Sequence, residues 1–501
     1  MNSLHSLTFF DIYEKNALYH GPSCAIHWEG TDITYSDLFL QTAKLAAGIK
    51  ALNLAPGSRI AVLCKNHPAF FHLFGAASAL NLALVLINRR LSQDELSYII
   101  ADTTPSVLFY DKEMANQAKT LATSFACLEQ CYGVDDPTDP RFLNLYAGTP
   151  ISDPVPCRPA DPFVIIHTAA VHGKPRGAVL GQENIILANQ QIIHAYGLDD
   201  TKTYLNILPL FHIMGINLGL GMLQAGGKNI IQDKFIPATT LALIHEQNVT
   251  LFGSFPPILT NLIDAMKDGD FDLSSLEIAA GLELPDTAKE WEAITHSKFW
   301  TMYGQTETSG LITFTEYFTK PGSAGVISPL ANIKIADDRD TILAVGETGE
   351  ILVRGPLVFQ GYWHADDLNA HTFRGGWHHT GDLGQVDADG FLFFKGRKAE
   401  RDLIKPGGEN VFPAEVERTI LEHDAVKEVC VFGVPDPKFG EGIKAVCSLN
   451  PGCQLTKEEL IRFCGSHIAG YKKPRYVDFI TELPKADDGT IDRNKIKADH
   501  T

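Results

Sequence analysis

The chain has 501 residues, enough for more than one packed domain, with 45% hydrophobic and 20% charged residues in an ordinary globular balance. A formal net charge of −18 and no long basic run argue against nucleic acid or an anionic membrane as partners. Any site for an anion must therefore concentrate its own positive charge. Nine scattered cysteines with no CxxC pair argue against a disulfide framework or a zinc site and point to a reducing cytoplasm. Met1–Phe10 lacks the pattern of a signal peptide, no stretch has the length of a membrane span, and Asp499–Thr501 is no peroxisomal address.

In chain order, Arg59–Cys64 reads as a buried strand and Pro68–Leu86 as an apolar helix running into a strand. Ser92–Asp102 reads as an amphipathic helix and Ser106–Tyr110 as another strand. The same alternation recurs from Phe163 to about Ala280, which predicts an α/β fold with a mostly parallel, helix-covered sheet. From about Ala324 to Phe394 strands shorten and turns multiply, predicting a small antiparallel barrel or a distorted sheet. After Gly396 about a hundred residues mix strands (Val429–Gly433, Tyr476–Ile480) with a helix (Lys457–Ile468), the size of a small separate domain. The charged stretch Lys395–Arg401 is the natural linker.

Five segments carry candidate chemistry. Thr168–Ala178 (TAAVHGKPRGA) follows the apolar run Phe163–Ile166 and is either a phosphate-cradling loop or a surface turn; it is not a Walker A loop. Leu208–Gly215 (LPLFHIMG) places His212 among apolar neighbours, where a satisfied core histidine is the plain alternative. Met302–Glu307 (MYGQTE) offers an aromatic to stack a base, Gly304 for close approach to a phosphate, and a carboxylate for Mg²⁺, or it is a strand-end turn. Trp377–Asp382 (WHHTGD), followed by Gly396 and Arg397, offers a carboxylate for a ribose and an arginine to hold it, or an ordinary turn with an ion pair. In Lys395–Glu417, the cations Lys395, Arg397, Lys398, Arg401 and Lys405 make an anion-binding linker, a solvated hinge, or both.

Together, in this order and spacing, these segments resemble the adenylate-forming superfamily, in particular its acyl-CoA synthetase branch. Further matches are Leu86–Leu91 (LINRRL), Ile278–Gly281, Gly349–Gly355, Gly361–Trp363 and Gly470–Arg475 (GYKKPR). The resemblance covers nearly the whole chain. It implies a large N-terminal domain of two sheet-and-helix lobes plus a β-barrel (residues 1–396, barrel about 324–394), a hinge at 397–402 and a mobile α+β domain at 403–501. It also implies two half-reactions. A carboxylic acid and MgATP give acyl-AMP and pyrophosphate; after domain rotation coenzyme A takes the acyl group and AMP leaves.

By resemblance Tyr303 stacks on adenine, with Gly304 beside it, while Thr306 and Glu307 attend phosphate and Mg²⁺. Asp382 holds the ribose beside Arg397, and Ala279, Ala280 and Gly281 line the nucleotide–acyl junction. His212 stands at the mouth of an acyl pocket with Met214, Gly215, Phe255 and Leu282; Phe211 and Pro256 add apolar surface. Lys405, Gly407, Gly408 and Glu409 belong to the coenzyme A loop. ATP, Mg²⁺ and coenzyme A are thus the implied cofactors, a small apolar monocarboxylic acid (fatty or aryl) the implied substrate, and a homodimer the candidate assembly.

Three departures matter. In the phosphate loop Ala169, Ala170, Val171 and His172 stand where the family has hydroxyl and glycine residues, leaving Thr168, His172, Gly173, Lys174 and Arg176 as the nucleotide-facing candidates. Thr490 occupies the place of the family's adenylation lysine. The linker is about two residues longer than usual, so Glu400, Arg401 and Asp402 are all candidate pivots. These departures keep two alternatives open: an enzyme specialised for the thioester half-reaction or its reverse, and a non-catalytic nucleotide- or acyl-CoA-binding protein.

Overall fold

The computed structural model describes residues 6–136, 140–168, 175–267, 269–398, 403–485 and 491–501. Two large mixed sheets carry the N-terminal part. One has seven strands, in which Arg59–Leu63, Ala83–Leu86, Val107–Tyr110 and Gln130–Gly133 run parallel and Pro162–Thr168 joins beside Ala83–Leu86. The other has nine, with Thr203–Asn206, Leu251–Ser254, Ile278–Gly281 and Lys298–Gln305 as its parallel centre. These central strands are buried on both faces, which is why they read as continuous apolar runs.

Between the sheets lies helix Ala69–Leu80, buried along its whole length and apolar but for His72 and Ser78, which hydrogen-bond to Tyr146 and Gln182. Its core is shared by strands of both sheets, including Ile60, Leu84 and Phe163 from one and Ile26 and Ile231 from the other. Helix Ile213–Ala225 approaches it closely: a Cβ on Gly219 would stand 3.2 Å from the Phe71 ring. Helix Gln93–Thr103 begins at Ser92, whose hydroxyl accepts from Glu95 N while the Glu95 carboxylate accepts from Ser92 N.

The turn-rich segment folds as four antiparallel strands, ordered Asn332–Ala336, Gly349–Arg354, His378–Val386, Leu392–Arg397. They are hydrogen-bonded in that order, and Val326 bridges to Phe391 beside the last of them. The last strand runs through Arg397, so the expected linker is strand for its first three residues; 399–402 lie outside the described residues. The small domain has its own core around a three-stranded sheet, with Val416, Val431, Ile443 and Leu460 fully or almost fully buried. No helix among the described residues is long and apolar enough to cross a membrane.

Candidate active site

Parallel strands end together, and their carboxyl ends here open into a cavity of about 780 Å³ that the small domain closes from the other side. Phe255 and Leu282 follow two of these strands directly, and Tyr303 lies near the end of a third. The backbone packing leaves no room for side chains beneath. A Cβ on Gly281 would lie 1.7 Å from Ser254 O, and one on Gly304 would lie 1.8 Å from Gly310 O.

One end of the cavity is a closed hydrogen-bond network. Asp382 Oδ2 accepts from the Tyr303 hydroxyl (2.8 Å) and Gln305 Nε2 (2.7 Å), and Oδ1 pairs with Arg397 Nε at 3.1 Å. Arg397 Nη1 donates to Leu403 O, so one arginine ties this network to the first residue described after the hinge. The Phe394 ring lies 6.2 Å from that of Tyr303 and beneath the Arg397 guanidinium. Glu307, itself buried, accepts on Oε1 from Thr168 Oγ1 (3.1 Å) and the Tyr362 hydroxyl (2.8 Å). Its Oε2 carries no hydrogen bond among the described residues. With Thr306 beside it, that is a hard-oxygen donor suited to a hydrated divalent ion.

At the other end, His212 precedes helix Ile213–Ala225 and its Nε2 stands 3.4 Å from Glu409 Oε2. Glu409 comes from the small domain and also meets Arg90 and Asn88 of the large one. Burial alone would raise its carboxyl; His212, Arg90 and Lys472 together bring it below the usual range. Gly407 and Gly408 take φ of +59° and +84°, and a Cβ would lie 3.1 Å from Pro256 O and 3.2 Å from the Phe255 ring, respectively. Both the turn and the contact therefore demand glycine. Ile207, Leu208, Met214 and Ile258 form the apolar wall.

Charge in the cavity is balanced rather than purely positive: Arg397 faces Asp382, and Arg90 faces Glu409. Lys405 has no salt bridge among the described residues. Burial, helped by Arg397, lowers its amine to about 8. Of the linker cations, Arg397 and Lys405 line the cavity, Arg401 lies outside the described residues, and Lys395 packs over the Phe393 ring. Lys398 pairs with Glu350 at 2.9 Å. Asp340, Glu350 and His379 bring metal-type donor atoms within 4.8 Å, but Arg374 and Lys398 already occupy them. Burial raises Glu350, yet hydrogen bonds from His379, Lys398 and Gly381 N outweigh it and hold the carboxyl at about 2. This network anchors the strand that leads into the hinge.

The structure brings Thr168, Arg176, His212, Met214, Gly215, Phe255, Leu282, Tyr303, Gly304, Thr306, Glu307, Asp382, Arg397, Lys405, Gly407, Gly408 and Glu409 to one cavity. Phe211 packs in the core behind His212, and Ala279 and Ala280 are buried under the wall. His172, Gly173, Lys174 and Thr490 lie outside the described residues. Sequence reasoning missed the roles of Tyr362 and Arg90, although both sit in segments matched to the family, and it missed Glu283. That glutamate lines the cavity half-buried, and burial raises its carboxyl to about 7.

The AMP-binding enzyme family matches residues 13–363, and the AMP-binding enzyme C-terminal domain matches 415–490. A feruloyl-CoA synthase of an Amycolatopsis species is 31% identical over 94% of this chain and 95% of its own length. A long-chain-fatty-acid–CoA ligase of Bacillus subtilis is 31% identical over 99% of this chain and 95% of its own. The o-succinylbenzoate coenzyme A synthetase of Bacillus subtilis, a double mutant bound with its product analogue OSB-NCoA, superposes with a TM-score of 0.86 at 25% identity, covering 98% of both chains. The same enzyme in complex with AMP superposes at 0.71, again at 25% identity and 98% of both chains. The chain belongs to the adenylate-forming superfamily, in its coenzyme A ligase branch.

Proposed function

We propose that this protein is an AMP-forming acid–CoA ligase acting on an apolar monocarboxylic acid, aryl or fatty. One observation carries the reading. The Gly407–Glu409 turn closes on Phe255, Pro256 and His212 in the same cavity that holds Tyr303, Glu307 and Asp382. A nucleotide end and a thiol-delivering loop thus share one chamber, as activation followed by transfer requires. The relatives, named for feruloyl-CoA and long-chain fatty acids, fit the apolar wall.

In this reading Tyr303, backed by Phe394, stacks on the adenine, and Asp382, held in place by Arg397 and Gln305, accepts from the ribose hydroxyls. Mg²⁺, held by Glu307 with Thr306, would neutralise phosphate charge. Thr168 and Tyr362 fix the Glu307 carboxylate so that its free oxygen points one way. Arg176 supplies a fixed cation near the phosphates. Lys405 supplies one that binding an anion would restore to full charge, since its amine is lowered only by burial and by like charge. The carboxylate attacks the α-phosphate and pyrophosphate leaves; the thiol then attacks the acyl carbonyl and AMP leaves. Closure of the 405–410 segment keeps water from the mixed anhydride. The larger TM-score to the product-analogue complex than to the AMP complex supports assigning this arrangement to the thioester-forming step.

Thr490, in place of a cation, is the specific reason to keep an enzyme of the thioester half-reaction as the second reading. Both are tested by coenzyme A thioester formation across short, medium, long and aromatic acids, each given with MgATP and in parallel as its acyl-AMP. Thioester from both routes is the expected result. Thioester from acyl-AMP alone gives the case to the second reading, and none from either route overturns both.

A further inference from the structure

Where the two domains meet, the seam is ionic. Lys472 of the small domain is almost fully buried, and its amine is held between Glu415 of its own domain (2.7 Å) and Glu95 of the large domain. Burial alone would lower the Lys472 amine, but the two carboxylates keep it above its ordinary value, so the lysine is charged at every working pH. The other cross-seam ion pairs are more exposed: Arg90, facing Glu409, has a side chain 52% exposed, and His212 is 40% exposed. Water and salt screen those contacts far more than the buried one. Lys472 follows Tyr471, which lines the cavity, so the same short segment touches both the seam and the site.

The arrangement is also reversible. If the small domain turns, Lys472 leaves Glu95 but keeps Glu415, which travels with it on helix Pro413–Leu421. Glu95 keeps Ser92 N, whose hydrogen bond to Oε2 is 2.6 Å. Neither charge is stranded without a partner, which is the condition under which a buried pair can break cheaply. An apolar seam of the same area would have no such alternative partners.

We propose that Glu95 and Lys472 are a positioning pair. Their contact holds the small domain where Lys405–Glu409 closes the cavity, and breaking it frees the domain to turn. The proposal rests on the ligase reading for its consequence in turnover, not for the contact itself. Glu95→Gln is the sharp test, because glutamine preserves the capping box of helix Gln93–Thr103 and removes only the charge.

Domain orientation is read by energy transfer in the full chain, between a label on the exposed Cys453 and one introduced at the exposed Leu143. The unmodified pair is expected to give one dominant distance. Glu95→Gln is expected to move at least about half of the molecules to other distances, and Lys472→Arg, which retains the charge, to leave the dominant one in place. In parallel, thioester formation from acyl-AMP falls about tenfold in Glu95→Gln while acyl-AMP formation is unchanged. An unaltered distance distribution, or equal losses in both half-reactions with a lowered melting temperature, overturns the proposal. The distance measurement stands even if no acid is ever turned over, so failure of the pair and failure of the ligase reading remain distinguishable.

Discussion

The cavity has two walls built on different principles. The large-domain wall grows from strand ends, and its polar groups satisfy one another: Asp382 holds Tyr303, Gln305 and Arg397, and Glu307 holds Thr168 and Tyr362. The small-domain wall is a glycine turn with a buried lysine, and what it meets across the seam is mostly charge: Glu409 to Arg90 and His212, Lys472 to Glu95. The first wall is preorganised and costs nothing to assemble at the moment of reaction. The second is held by ion pairs whose members keep a partner when the seam opens, Lys472 with Glu415 and Glu95 with Ser92 N, so it can be withdrawn. One site can then serve two chemical steps by keeping one wall and exchanging the other.

The comparison predicts that damage to the fixed wall harms both half-reactions. Asp382→Ala removes the acceptor for Tyr303 OH and leaves Arg397 without its carboxylate. Nucleotide affinity, read by calorimetric titration with AMP, is expected to fall about 100-fold, with both half-reactions reduced alike. Loss of the buried hydrogen bonds that Asp382 accepts costs about 1–3 kcal/mol of stability, read as a lower denaturant midpoint. Loss of one half-reaction alone would break the idea of a shared wall.

Damage to the movable wall is expected to be selective. Gly408→Val puts a branched side chain where φ is +84° and the Phe255 ring already stands 3.2 Å from the Cβ position. Thioester formation from acyl-AMP is expected to drop about 10- to 100-fold while acid-dependent pyrophosphate exchange survives, because strain at a closing contact weighs on the closed state alone. Equal loss of exchange would show that the 405–410 turn also serves adenylation.

Part of the fixed wall was legible in the sequence, since an apolar run followed by Tyr303–Glu307 falls at the carboxyl end of a central strand; Asp382 lies in the middle of an antiparallel strand, and its motif rather than a strand end marked it. Strand Arg59–Leu63 and helices Gln93–Thr103 and Lys457–His467 also lie where periodicity and caps put them. The seam was not legible. Glu95 and Lys472 are 377 residues apart, and a glutamate in a helix's first turn reads as a cap, which it also is. Lys398 was counted with the anion-binding cations because spacing cannot show that Glu350, two strands away in the same sheet, already neutralises it. Glu283 follows Leu282 in a turn, and only the folded wall reveals that its Oε2 is buried without a hydrogen-bond partner among the described residues.

Glu283 gives the smallest effect and the one with a defined pH window. Burial raises its carboxyl to about 7, whereas an exposed glutamate titrates at about 4.3. The folded chain therefore binds the proton more tightly than the unfolded one. Between these values the folded state carries more protons, and stability falls as pH rises, with the penalty complete above about 7. Glu283→Gln removes the charge but keeps an oxygen for Leu284 N, which now donates to Glu283 Oε1 at 3.1 Å. At pH 8 the variant is expected to be more stable than the parent by about 1–2 kcal/mol, a figure reduced for solvent around a half-buried group. The difference shrinks as pH falls and vanishes near pH 4. Denaturant midpoints at pH 8 and pH 5 measure it. An equal shift at both values would assign the effect to packing, and a less stable variant at pH 8 would mean that the carboxylate has found a partner that burial alone does not provide.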